Sequence, residues 1–210
     1  MNISPSREEL EQLIRHQLRN LFLLQEVELD ALSRCIQGAV ERVEKCFSYS
    51  TNKYYKKGGE VFFYIYHSAQ YCIFLYFLSR QVFLTCPVAV SLADKLYLLN
   101  KALSGLDLYY EVSMPDIFYL DHPVGSVMGR ASYGNHFSFA QHCTVGNNKG
   151  VYPEIGEHVR MLSGSKILGK SIIGDNVTLS ANSYVKDAAI PANSIVFGSS
   201  PNLIIKPKFG

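Results

Sequence analysis

The sequence predicts an α+β chain: an N-terminal all-α helical domain over residues 1–105, followed by a C-terminal left-handed parallel β-helix with a short tail over residues 106–210. Two observations predict it. Apolar residues in the first hundred positions recur at steps of three and four, the period of one helix face. After Gly105 the step becomes six: Ile155, Met161, Ile167, Ile173, Leu179 and Val185 follow one another at that interval, and Ala131, Phe137 and Cys143 do so upstream. Helical spacing cannot give a period of six and simple strand alternation does not require one, whereas a hexapeptide solenoid does.

The helical half opens at Ser6, which with Glu9 forms a capping box ahead of Leu10, Leu13, Leu18 and Leu21. Leu29, Leu32, Cys35, Ile36, Ala39, Val40, Val43 and Phe47 form a second apolar stripe, and Lys57-Gly58-Gly59 ends that stretch. Residues 61–79 read as one long apolar helix, long enough to suggest a membrane span. His67 and Gln70 inside the run, with Arg80 and Gln81 at its end, argue for a buried helix instead. Pro87 sits near the start of a further helix that Gly105 ends.

In the second half, each hexapeptide supplies one flat side and a turn, three sides make a coil, and the period-six residue points into a narrow interior. Gly156, Gly164, Gly169, Gly174 and Asn182 suit the corners.

Composition bounds the function. With 48% hydrophobic and 18% charged residues the chain can bury a core, and a net charge of +2 is too small to imply nucleic acid. The five cysteines form no C-x-x-C pair and no secretory leader precedes them, so they read as free thiols in the cytoplasm. No metal-ligand spacing is present.

Residues 107–208 resemble the β-helix half of the bacterial serine acetyltransferases, members of the hexapeptide-repeat acyltransferase superfamily. The likeness runs through LDLYYEVSMPDIFYLDHPVG, SFAQHCTVGN, PEIGEHV, SGSKILG, IGDNVTLSANSYV and FGSSPNLIIKPK, and more loosely through the upstream YHSAQ. It implies transfer of an acetyl group from acetyl-CoA, without a metal, to a small hydroxyl acceptor. It also implies a homotrimer or a dimer of trimers, with the helical half as the oligomerisation module.

Such chemistry needs a base for the hydroxyl proton, donors for the oxyanion and a trough for the cofactor. By the resemblance His122 is the base and Asp107 orients its ring, while Asp121 touches the acceptor. Backbone N–H groups at Gly146 and Asn147 hold the oxyanion. Ser163, Gly164 and Ala181 leave room for the pantetheine arm, and Lys206, with Lys208, meets the nucleotide phosphates. His16 reads as solvated on the first helix, and His136, His142 and His158 lie off the inward register and read as facing solvent or a neighbouring subunit. His67 reads as a hydrogen-bonded partner of the helical core.

The acceptor pocket departs from the family's pattern. Val151-Tyr152 stands where the family has an Arg-His pair before the Pro, and FSYSTNKYY carries no acidic residue to meet a substrate ammonium. A desolvated zwitterion needs such charges. The acceptor is then either serine held by other groups or another hydroxyl compound such as a sugar, which Tyr152 suits by stacking or hydrogen bonding. A non-catalytic β-helix scaffold is the alternative from another class.

Overall fold

The computed structural model describes residues 1–208; positions 209 and 210 of the expected tail lie outside the described residues. The chain divides into two compact units, Met1–Ser104 and Gly105–Gly210.

The first unit carries the helices α1 (Arg7–Leu21), α2 (Glu26–Ser48), α3 (Ser68–Thr85) and α4 (Val90–Ser104). Ser6 caps α1 by accepting from the Glu9 N–H. The stripe predicted on α2 is buried at Leu32, Cys35, Ile36, Ala39, Val40, Val43 and Phe47. Glu28 is buried as well, and accepts from Ser91 Oγ at 2.7 Å and Lys95 Nζ at 2.5 Å, tying α2 to α4.

The expected single helix over 61–79 is corrected. Glu60–Tyr64 is a strand, paired with Asn2–Ser4 and Lys56–Lys57, and the helix starts only at Ser68. Aromatic and β-branched residues in Val61–Tyr64 suit the strand. The break is held by Gln70, whose Oε1 accepts from the Tyr64 N–H and whose Nε2 donates to the Tyr54 carbonyl. His67 caps α3 by accepting from the Gln70 N–H. The YHSAQ run is therefore a strand-to-helix junction. Among the described residues no helix is long and apolar enough to cross a membrane. All five cysteines are free and buried.

The second unit is a parallel β-solenoid of about five turns, the left-handed β-helix expected from the period. Its first face stacks Phe118–Leu120, Phe137–Phe139, Arg160–Met161, Thr178–Leu179 and Ser194–Ser199. The second stacks Val127–Met128, Thr144–Gly146, Lys166–Leu168 and Tyr184–Lys186, with Asp107 bridged to Val127 above them. The third stacks Ser132–Tyr133, Glu154–Ile155, Ile172–Ile173 and Ala189–Ile190. Asn202–Pro207 folds back antiparallel on the last first-face strand.

The ladders correct the upstream register by two residues. Ile155, Met161 and Ile167 align with Tyr133, Phe139 and Val145 rather than with Ala131, Phe137 and Cys143. Phe137 and Cys143 are nonetheless fully buried, because the residue two before each ladder position also turns inward. On the second face that inner column is Ser126, Cys143, Ser165 and Ser183, all buried. Ser126 Oγ donates to the Ala140 carbonyl and Ser183 Oγ to that of Val196, each bonding one coil to the next. Small polar side chains at this inner position offset their desolvation by donating to backbone carbonyls of the next coil.

Candidate functional site

The first corner, where first face turns into second, gathers most of the predicted residues. In the later coils it is tight: Phe139 to Thr144, Met161 to Lys166 and Leu179 to Tyr184 each span five positions between paired strand residues, whereas Leu120 to Val127 spans seven. The two extra residues belong to the Asp121-His122-Pro123-Val124-Gly125-Ser126 turn. His122 takes a left-handed backbone (φ 49°). Its carbonyl accepts from the Val124 N–H and that of Pro123 from the Ser126 N–H, so the enlarged corner is an internally bonded turn. It lifts the imidazole into solvent: the His122 side chain is 86% exposed.

Asp121 Oδ1 lies 3.4 Å from His122 Nε2, an ion-pair distance longer than a good hydrogen bond. The ring pairs with Asp121. Asp107 is half-buried on the neighbouring second-face ladder, its N–H bound to the Ser126 carbonyl and its carbonyl accepting from Met128. The Gly125 N–H donates to the Gly105 carbonyl, so the backbones that carry Asp107 and His122 run side by side at the head of the solenoid.

Below His122 the same corner continues as two columns. One is Val124, Gln141, Ser163 and Ala181; the other is Gly125, His142, Gly164 and Asn182. Every member of the second column has positive φ, between 56° and 72°. Ser163 and Gly164 thus stand two coils below the His122 turn and Ala181 three. The residue after each first-face ladder position forms a further column: Asp121, Ala140, Leu162, Ser180 and Phe197. Lys206 lies over the Phe197 ring, 5.7 Å from its centroid. His122 and Lys206 therefore mark opposite ends of one corner, four coil steps or about 19 Å apart at sheet spacing. Lys208 is turned elsewhere, its Nζ bound to Asn176 Oδ1 at 2.7 Å.

Gly146, Asn147 and Tyr152 lie apart from this group, at the second corner, where second face turns into third. There Asn148 and Val151 exchange both backbone hydrogen bonds across Lys149 and Gly150, which have φ of 52° and 78°. This two-residue hairpin needs positive φ at both central residues, which Gly150 adopts without cost. It is pinned to the coils below by Asn148 Nδ2, which donates to Asp187 Oδ2 at 2.7 Å. That bond and the Lys170 N–H hold the Asp187 carboxyl below its usual range, the backbone donor being the larger cause. Tyr152 is 43% exposed beyond the hairpin. Within one chain the second face separates these residues from His122.

One residue of the first corner, read from the sequence as facing solvent or a neighbouring subunit, stands beside the predicted group. His142 sits one coil below the His122 turn with its ring against Gly125: a Cβ built on that glycine would lie 2.4 Å from His142 Nδ1. Pairing Ser126 with Cys143 as buried corner residues would have placed His142 beneath Gly125. Among the described residues no cluster of three or more His, Cys, Asp or Glu is placed to hold a metal ion.

Comparison with known proteins bears on this geometry. No protein-family profile matches the chain. The serine acetyltransferase of Staphylococcus epidermidis is 32% identical over 113 residues, 51% of this chain and 52% of that protein. The Staphylococcus aureus enzyme is 29% identical over the same shares. The chain thus spans about half the length of the curated relatives it matches. Among solved structures, serine acetyltransferase from Brucella abortus superposes with a TM-score of 0.66 at 21% identity, covering 87% of this chain and 74% of that one. A serine acetyltransferase in complex with CoA gives 0.66 at 18% identity, covering 94% and 83%. The Neisseria gonorrhoeae enzyme in complex with serine gives 0.60 at 25% identity, covering 85% and 73%. The chain therefore shares the fold of those serine acetyltransferases and, over about half its length, is similar in sequence to two of them.

Proposed function

We propose that this protein is an O-acetyltransferase that moves an acetyl group from acetyl-CoA to the hydroxyl of a small acceptor, in the manner of its serine acetyltransferase relatives. The observation that carries the reading is the first corner: an exposed imidazole beside a carboxylate at its head, the small residues Ser163, Gly164 and Ala181 in its lower coils and a lysine at its foot. His122 takes the acceptor proton; Asp121 and Asp107 are the two carboxylates close enough along the backbone to orient its ring and stabilise the imidazolium. The pantetheine arm runs past Ser163, Gly164 and Ala181 with the phosphates toward Lys206. The CoA and serine found in solved neighbours support this choice of donor and acceptor class.

The separation of Gly146, Asn147 and Tyr152 from His122 within one chain supports an active site completed between neighbouring copies, in a homotrimer or a dimer of trimers, with the helical unit as the assembly module. The five free thiols suit a reducing, cytoplasmic location. A sugar acceptor is the second reading. Tyr152 is exposed and follows Val151, so the hairpin presents an aromatic surface rather than a charged pair.

Thiol release from acetyl-CoA, measured with L-serine and with a panel of nucleotide sugars, tests both readings. The expected result is turnover with one class that falls about 100-fold or more in His122→Ala while CoA affinity is kept. Absence of turnover with every acceptor, or normal turnover in His122→Ala, refutes the assignment and favours a scaffold.

A further inference from the structure

We infer that His142 is a second catalytic residue of the same corner, the side chain that donates a hydrogen bond to the oxyanion; this rests on the acetyl-transfer reading above. The oxyanion forms on the thioester carbonyl, which must lie between the base and the small-residue slot. Within one chain Gly146 and Asn147 stand at the other end of the second face and would reach this corner only from a neighbouring copy; His142 is the donor supplied by the same chain as the base. His142 lies on the path itself, one coil below the His122 turn and one coil above Gly164.

Three features fit it for the task. The positive φ of 56° and the hydrogen bond from its N–H to the Val124 carbonyl fix its backbone. The Nδ1–Cε1 edge is seated on Gly125, the nearest atoms to a Cβ built there being Nδ1 at 2.4 Å and Cε1 at 2.9 Å, which leaves Nε2 away from the glycine. The residue is exposed, and neither ring nitrogen has a hydrogen-bond partner among the described residues. An imidazole N–H held in this way is an oxyanion donor that needs no reorganisation during the reaction.

The step balances as follows. The acceptor hydroxyl gives its proton to His122 as its oxygen bonds to the thioester carbon. The carbonyl π pair moves to oxygen and is stabilised by the His142 N–H. Collapse of the adduct re-forms the carbonyl and breaks the C–S bond, and the departing CoA thiolate takes the proton from His122.

The other members of the column supply substitutions the fold accepts: Gly164 and Asn182 hold the equivalent backbone position. His142→Gly removes the donor, and His142→Asn keeps one of different reach. The expected result is a fall in kcat of about 10²–10³-fold in His142→Gly, with CoA affinity by calorimetry and thermal stability near wild type, and part of the rate restored in His142→Asn. A His142→Gly variant within threefold of wild type, measured beside an inactive His122→Ala, overturns the inference and leaves the acetyl-transfer reading intact. Loss of CoA affinity in step with rate assigns His142 to packing and also overturns it. A wild-type protein inactive on all acceptors fails the underlying reading instead.

Discussion

Gly125 shows how much the corner asks of one position. Its φ of 71° lies where an L side chain costs about 1–2 kcal/mol, and a Cβ there would collide with the His142 ring. Gly125→Ala is expected to lower unfolding free energy by at least about 1 kcal/mol in urea titrations. Combined with His142→Gly it should cost less than the sum of the two, because the collision is gone and only the backbone penalty remains. Strict additivity would show that the ring does not rest on the glycine. His122 has no counterpart in the shorter corners below. The Asp-His-Pro run marks the turn in the sequence, and the resemblance proposes Asp107 as the partner of its ring; the 3.4 Å approach of the neighbouring Asp121 to that ring is not readable from spacing. Rotamers on an exposed, enlarged turn are set by local geometry that sequence spacing does not encode.

Among the elements, the solenoid was the most legible. Six evenly spaced apolar residues predicted the later coils, because each coil there repeats without insertion. The upstream register slipped by two because the second corner carries the Asn148–Val151 hairpin, which breaks the count between coils. In the helical unit, residues 61–79 were mistaken for one helix because hydropathy is uniform across a strand, a turn and a helix that are all packed against neighbours. Gln70, which holds that junction together, looks from sequence like a polar flaw in an apolar run. The cofactor slot proposed along this corner is an element-scale feature, since it would depend on Ser163, Gly164 and Ala181 from successive coils. Ala181→Trp is expected to weaken CoA binding at least tenfold in a direct titration by filling the slot, while leaving the thermal melt unchanged because Ala181 is exposed. Unaltered affinity would move the cofactor to another face.

For the molecule as a whole, acid is the expected weakness, and it resides in the second unit. His136 and His158 stack face to face at the third corner, with centroids 4.3 Å apart and planes at 4°. Burial and the neighbouring His158 hold the His136 imidazole below its usual range, against a smaller opposing pull from Glu157. A histidine with a depressed folded pKa contributes stability that is complete above its unfolded value and disappears as pH falls through the folded one. Asp187, also depressed, adds a contribution lost only at still lower pH. The melting temperature should therefore fall between pH 7 and pH 5. His136→Asn, which borrows the residue of Asn176 and Asn193 in that column, should flatten the decline. An equally steep fall in the variant would place the sensitivity elsewhere.

Stacked coils also act as a ruler. Because each turn adds one fixed increment between the imidazole at the head of the first corner and the lysine at its foot, removing a single turn from the middle would shorten that span by one increment without disturbing either end. On the acetyl-transfer reading, a cofactor of fixed length would then reach only one of its two proposed anchors, so the number of turns would itself select the thioester.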